Sequence, residues 1–162
     1  MMRITIIGFG NQAKAWTKNL KDSAFPVRIA LRAASPSFVP AQLEGVTTVE
    51  IDSAEFYQGE AFALLTPDHT HHEFLQAYAH QFKAGSIILY AHGFSLVKHQ
   101  FNQLYPHLKH ILLAPKAIGS ELRNQYLLKG QLGAVYSLEF LAEDETTIKE
   151  WVMNLARALG LI

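Results

Sequence analysis

Near the amino terminus, Gly8-Phe9-Gly10-Asn11-Gln12-Ala13 sets two glycines and a small alanine at G-x-G-x-x-A spacing, directly after the apolar run Ile4-Thr5-Ile6-Ile7. Strand, glycine turn and helix start in that order suit a dinucleotide. Gly8 permits the tight turn, Gly10 lets the backbone approach a pyrophosphate, and Ala13 lets the helix pack close to the strand. The phosphates would then be held by free N–H groups at a helix start, with no charged side chain required. A glycine turn in an unrelated α/β protein would share the glycines, but not the coincidence of strand, spacing and helix.

A second group follows the next apolar run, where Val27-Arg28-Ile29-Ala30-Leu31 leads into Arg32, Ser35 and Ser37. A site for NAD places Asp or Glu there, to accept from the ribose hydroxyls. Here a guanidinium fork and two hydroxyl donors form a pocket suited to a 2′-phosphate, and no acidic residue occurs from Arg28 through Gln42. The cofactor expected is therefore NADP(H). The alternative is an ordinary solvated loop.

His92 and Lys116 each follow a later apolar run, at the strand end that borders the ligand crevice of an open α/β sheet. His92 could donate to a carbonyl oxygen as a hydride arrives, or be a loop histidine fixed by hydrogen bonds. Lys116 could hold a substrate carboxylate or alkoxide as a point charge, or be a solvated surface lysine. His69, His71 and His72, with Glu73, invite a metal reading, because the spacing from His69 to His72 and Glu73 puts ligand types on one helical face. The reading preferred is a polar first turn with Asp68 as its cap, and no metal site is expected.

The elements that would position these residues are legible in the pattern. Apolar strand-like runs at 4–7, 27–31, 46–49, 61–65, 86–90, 111–114 and 134–138 alternate with helical segments at 11–20, 68–82, 96–105, 120–129 and 144–159. Each helix opens at or near a polar cap candidate. Residues 33–44 contain two prolines and read as a loop with a short helix. The fold class expected is α/β, a Rossmann-type doubly wound and mostly parallel sheet with helices on both faces, in three layers. Trp16, Trp151, Phe56, Phe62 and Phe82 suit core or interface packing.

Composition bounds the function. With 162 residues and 49% hydrophobic content, a single domain over 1–162 is expected. Fourteen basic residues balance fourteen acidic ones, so no nucleic acid or anionic membrane partner is expected. The absence of cysteine excludes thiol catalysis and disulfides, and no signal or membrane-spanning stretch is read, so the cytoplasm is the default.

Beyond the fingerprint, several segments resemble the ketol-acid reductoisomerase family, whose enzymes rearrange and reduce an acetohydroxy acid in branched-chain amino-acid biosynthesis. Gly8-Phe9-Gly10-Asn11-Gln12-Ala13 is similar to its first turn, with Ala13 replacing the usual glycine, and Arg32, Ser35 and Ser37 match its NADP loop. Leu65-Thr66-Pro67-Asp68 resembles the segment after its fourth strand, and Ala91-His92-Gly93-Phe94 its histidine motif beside the nicotinamide. Leu113-Ala114-Pro115-Lys116-Ala117-Ile118-Gly119 resembles its Ala-Pro-Lys-Gly-Pro-Gly segment, and Arg123 and Tyr126 also fall at matching positions. The resemblance implies an NADP(H) site built from Gly8, Phe9, Gly10, Asn11, Gln12, Arg32, Ser35, Ser37, Leu65, Thr66, Pro67, His92 and Gly93, with His92 and Lys116 as catalytic candidates.

In that family two magnesium ions are held by carboxylates of a following helical domain, which is expected to be absent from this chain. The run Glu145-Thr146-Thr147-Ile148-Lys149-Glu150 is continued by Trp151-Val152-Met153 where acidic residues would be needed, and it reads as the start of the closing helix. Full reductoisomerase activity by this chain alone is therefore not expected. The leading expectation is an NADP(H)-binding protein of the ketol-acid reductoisomerase type, whose candidate activity is NADPH-dependent reduction of a small keto acid or another carbonyl. The alternatives are a non-catalytic NADP(H)-binding or sensing module that works with a partner protein, and one domain of a longer enzyme. A homo-oligomer could cover the site, but the sequence does not specify one.

Overall fold

The computed structural model describes residues 2–140 and 145–161. Seven strands form one sheet: β1 (Ile4–Ile7), β2 (Val27–Leu31), β3 (Thr48–Glu50), β4 (Ala61–Leu64), β5 (Ile87–Tyr90), β6 (Lys109–Pro115) and β7 (Ala134–Glu139). The helices are α1 (Asn11–Asp22), α2 (Phe38–Leu43), α3 (His71–Tyr78), α4 (Phe94–His99), α5 (Phe101–Leu104), α6 (Gly119–Leu127) and α7 (Glu145–Leu159). The strand order is β3-β2-β1-β4-β5-β6-β7, parallel throughout except for β7, which runs antiparallel along β6. The chain leaves β1 for β2 on one side and returns to β4 on the other, so the order reverses between β1 and β4. In an open α/β sheet that reversal opens a crevice at the carboxyl ends of the two strands.

Period-two alternation distributes the strand side chains between two cores. Ile4, Ile6, Ala61, Ala63, Ile87 and Leu89 pack with Trp16, Leu122, Trp151 and Leu155, from α1, α6 and α7. Ile7, Phe62, Leu64, Ile88 and Tyr90 face the other way, against Phe56, Leu75, Leu96 and Phe101. The result is three layers, with helices on both faces. Each fully buried large apolar side chain here contributes about 1.5–3 kcal/mol of transfer free energy. The five aromatic residues expected inside are all buried. Arg28 is an exception in kind: it lies in the core and donates to Thr5 Oγ1 and to the Glu55 and Phe56 carbonyls, tying the 3-10 turn Phe56–Gln58 to the sheet.

Several element boundaries differ from the sequence reading. The segment 68–82 is not one helix but a 3-10 turn (Asp68–Thr70), α3 and a second 3-10 turn (Ala79–Gln81). Segment 96–105 opens earlier, at Phe94, and divides at Gln100, whose φ of +50° is left-handed and interrupts the helical ladder. Helix α6 opens at Gly119 instead of Ser120, and the expected helix start at Asp144 lies outside the described residues. The expected side-chain caps do not form at α1, α3, α4 or α6, and Asp68 opens a 3-10 turn whose preceding residue is Pro67. Among the described residues no helix is long and apolar enough to cross a membrane.

Candidate dinucleotide and carbonyl site

The turn after β1 is shaped by backbone requirements. Gly8 has φ +100°, in the region L side chains rarely adopt, and a Cβ there would stand 3.0 Å from Thr66 Cγ2. Gly10 differs, since its φ is an ordinary −76° and a Cβ built on it meets nothing within 4 Å. Neither packing nor dihedral angle demands glycine at position 10. The space it leaves is solvent at the mouth of the crevice.

Helix α1 starts at this turn with no acidic residue in its first turn and no side-chain cap. Lys14 N–H bonds the Gly10 carbonyl at 2.9 Å, so the N–H groups of Asn11, Gln12 and Ala13 have no acceptor among the described residues. Uncapped N–H groups with the positive end of the helix dipole make an anion site.

Two crevices meet here. One, of about 540 Å3, is lined by Gly8, Phe9, Gly10, Arg32, Ser35 and Ser37, and also by Thr66 and Pro67. The other, of about 480 Å3, is lined by Gln12, Leu65, Thr66, Asp68, His92 and Lys116. Thr66, at the end of β4, belongs to both, so the pair forms one elongated depression across the strand-order reversal. Arg32 is exposed at its rim, and Ser35 Oγ accepts from the Ser37 N–H at 3.3 Å. The structure thus gathers eleven of the thirteen expected cofactor residues, with Lys116 as well. Asn11 and Gly93 are adjacent to the walls without lining them, at the first residue of α1 and the residue before α4.

Sequence reasoning named His92, Asp68 and His71 but not the pairings among them, or Ser95, that brace this depression. His92 Nδ1 lies 3.0 Å from Asp68 Oδ2. Below it, His71 is buried, with Nε2 2.8 Å from the Thr66 carbonyl and Nδ1 2.6 Å from Ser95 Oγ. A carbonyl only accepts, so Nε2 carries the proton and Nδ1 accepts from the Ser95 hydroxyl. Burial lowers the His71 pKa and keeps the ring neutral, against the opposing effects of the Thr66 carbonyl and Asp68. His69, His71, His72 and Glu73 do not converge: His71 is engaged in these two bonds, while His72 stacks on His99 with ring centroids 4.8 Å apart. Glu73, Phe74 and Tyr78 from α3 line the crevice that holds Arg32, Ser35 and Ser37. The signal available was a shared spacing of three residues, Asp68 to His71 and His92 to Ser95.

Comparison with known proteins bears on the family and the fold. The family profile of the acetohydroxy acid isomeroreductase NADPH-binding domain matches residues 1–162. The ketol-acid reductoisomerase (NADP(+)) of Helicobacter pylori (strain Shi470) is 35% identical over 162 residues, covering 98% of this chain and 48% of that protein. The Xanthomonas axonopodis pv. citri (strain 306) enzyme of the same name is 32% identical over 161 residues, covering 98% and 46%. The chain spans about half the length of these curated relatives. Among solved structures, an NADH-preferring ketol-acid reductoisomerase from an uncultured archaeon superposes with a TM-score of 0.80 at 24% identity, covering 98% of this chain and 49% of that one. At that identity the likeness shows the fold.

Proposed function

The chain belongs to the acetohydroxy acid isomeroreductase family as its NADPH-binding domain, and from that premise we propose that it binds NADPH along the joined crevices and reduces a small keto acid at the His92 and Lys116 end. The observation that carries the reading is the uncapped start of α1 beside Gly10, where the crevices meet and a Cβ would stand in open space. A pyrophosphate needs that combination of close backbone approach and unpaired N–H donors.

Gly8, Phe9, Gly10, Asn11 and Gln12 would hold the pyrophosphate, and Arg32, Ser35 and Ser37 the 2′-phosphate. Leu65, Thr66 and Pro67 would support the span between them, and His92 with Gly93 the nicotinamide end. When bound, NADPH supplies a hydride. Lys116 would hold the substrate carboxylate or the developing alkoxide as a point charge, and His92 would give the oxygen its proton.

The family's magnesium chemistry does not fit the residues present: among the described residues no three His, Asp or Glu side chains are grouped to hold a metal ion. A second reading, a binding module that works with a partner protein, is favoured by the exposed Ile118, Leu127 and Leu128 of the α6 region and by Val135 and Tyr136 of β7. Large exposed apolar side chains in number often mark interaction surfaces. NADPH titration, followed by NADPH oxidation against a panel of 2-keto acids and acetohydroxy acids with and without magnesium, separates the readings. Binding with turnover supports the reductase, binding without turnover supports the module, and no binding overturns both.

A further inference from the structure

Two side-chain bridges join the loop after β4 to the loop after β5. Asp68 meets His92, and three residues further along both segments His71 meets Ser95. The inner bridge is buried and fully hydrogen-bonded, so it fixes the two loops in register without help from any surface side chain. The outer bridge opens on the crevice and poses a question of protonation.

His92 Nδ1 lies 3.0 Å from Asp68 Oδ2 and 3.3 Å from the Phe94 backbone nitrogen. These neighbours require opposite states of one atom. The carboxylate accepts and needs Nδ1–H, whereas the amide donates and needs a lone pair there. The carboxylate contact is shorter and charge-assisted, and such bonds are roughly twice as strong as neutral ones. Phe94 is exposed in the first turn of α4, where its N–H can turn to water. The proton therefore belongs on Nδ1. Nε2 has no hydrogen-bond partner among the described residues and is the ring atom left for a ligand in the crevice that His92 lines.

We propose that Asp68 is a positioning residue that acts through His92, holding Nδ1–H so that Nε2 is the atom that delivers a proton to a carbonyl oxygen in the crevice. The inference rests on the carbonyl-reduction reading above. As hydride adds to the carbonyl carbon, a C–H bond forms and the π pair of the C=O bond moves to oxygen. That oxygen takes the proton from Nε2 of the imidazolium: an O–H bond forms, the Nε2–H bond breaks, and its electron pair remains on Nε2. NADPH is oxidised to NADP+, the carbonyl is reduced to the alcohol, and neutral His92 keeps its proton on Nδ1, donated to the Asp68 carboxylate. Water then restores the proton on Nε2.

The tautomer can be read without cofactor or substrate, from 15N–1H correlation spectra of the histidine rings at a pH where they are neutral. The His92 signals are assigned by their loss in His92→Gln. His71 and His110 serve as internal references for the opposite tautomer, since their Nε2 atoms face the Thr66 and Tyr105 carbonyls at 2.8 and 3.2 Å. The expected result is Nδ1–H at His92 and Nε2–H at the two references. In Asp68→Asn, His92 should move to Nε2–H with the references unchanged, and Asp68→Glu should retain Nδ1–H. If NADPH turnover is found, Asp68→Asn should lower kcat on the order of ten- to a hundredfold, as loss of a partner behind a working histidine does, with KM changed much less. A wild-type Nε2–H tautomer, or Nδ1–H persisting in Asp68→Asn, overturns the proposal. NADPH titration of the same sample keeps the two readings apart: absence of binding overturns the cofactor reading and the use of Nε2 with it, whatever the tautomer.

Discussion

His71 Nδ1 stands 2.6 Å from Ser95 Oγ, and this buried contact joins the segment after β4 to α4 beneath the paired crevices. The other ring nitrogen is committed to the Thr66 carbonyl, so nothing else in the core can satisfy Nδ1 if the serine is lost. Ser95→Ala should therefore destabilise the fold by about 1–3 kcal/mol, the cost of a buried acceptor left without a partner. Urea unfolding of the two proteins measures it. An unchanged midpoint with an unchanged slope would show that the bridge carries no stability.

The buried histidines also set a pH dependence. His110 is fully buried, with Nδ1 2.9 Å from the Tyr90 hydroxyl and Nε2 facing the Tyr105 carbonyl, and burial pushes its pKa down to about 4. The unfolded chain takes up this proton near pH 6.5, whereas the folded chain resists until about pH 4. Between those limits the unfolded state binds more protons, so stability rises with pH. It is fully present above about pH 6.5 and is lost as the pH falls towards about 4, by an amount on the order of 3 kcal/mol. His71, also lowered by burial, acts in the same direction. Urea midpoints across this range should fall steadily on acidification, with a shallower fall in His110→Gln. A wild-type midpoint that does not change would contradict the assignment.

Much of this site was legible because it is made of backbone. Gly8 is dictated by its dihedral angle and by its closeness to Thr66, which the turn spacing records directly. The strand runs were legible for a similar reason, since the central strands are buried on both faces and read as continuous apolar stretches. What escaped the sequence depends on contacts between distant segments. Asp68 reads as a helix cap until β5 brings His92 beside it, 24 residues away in sequence. His71 and Ser95 are likewise 24 apart, and the shared three-residue spacing from Asp68 and His92 is the sequence trace of the pair. Glu73, Phe74 and Tyr78 reach the crevice beside Arg32 because α3 lies along it, which depends on how the helix docks. The break at Gln100 is a left-handed residue of a type that composition does not flag.

The two glycines of the turn should respond in opposite ways. Gly8→Ala places a side chain at φ +100° and against Thr66, and should cost about 1–3 kcal/mol of stability. Gly10→Ala has an ordinary φ and open space, so the fold should be unaffected or gain up to about 1 kcal/mol from the stiffer unfolded chain. Its methyl group occupies the approach to the start of α1, however, and should weaken NADPH binding by about tenfold or more. Thermal unfolding and NADPH titration on both variants separate the effects. Gly10→Ala binding with wild-type affinity would remove the pyrophosphate from this turn.

If the 2′-phosphate sits at the rim of the larger crevice as proposed, cofactor choice should respond to the residues there. NADPH differs from NADH by one 2′-phosphate, which brings charge and acceptor oxygens to the end of β2. Arg32, Ser35 and Ser37 line the crevice there, and the loop carrying them contains no carboxylate. Glu73, on the opposing α3, lines the same crevice and is the acidic group to be tested against them. A hydrogen bond to a charged group contributes about 1.5–3 kcal/mol, so Arg32→Ala should weaken NADPH binding by roughly ten- to a hundredfold and leave NADH binding much less affected. Arg32→Asp should go further and invert the preference, because it removes the fork and supplies a carboxylate for the free ribose hydroxyls. Glu73→Gln should leave the preference for NADPH in place or increase it, since it only removes negative charge. Fluorescence or calorimetric titration of both cofactors against the wild type and these three variants decides the matter. Equal wild-type affinities for NADH and NADPH, or an Arg32→Ala variant that loses both cofactors alike, would remove the 2′-phosphate from this loop.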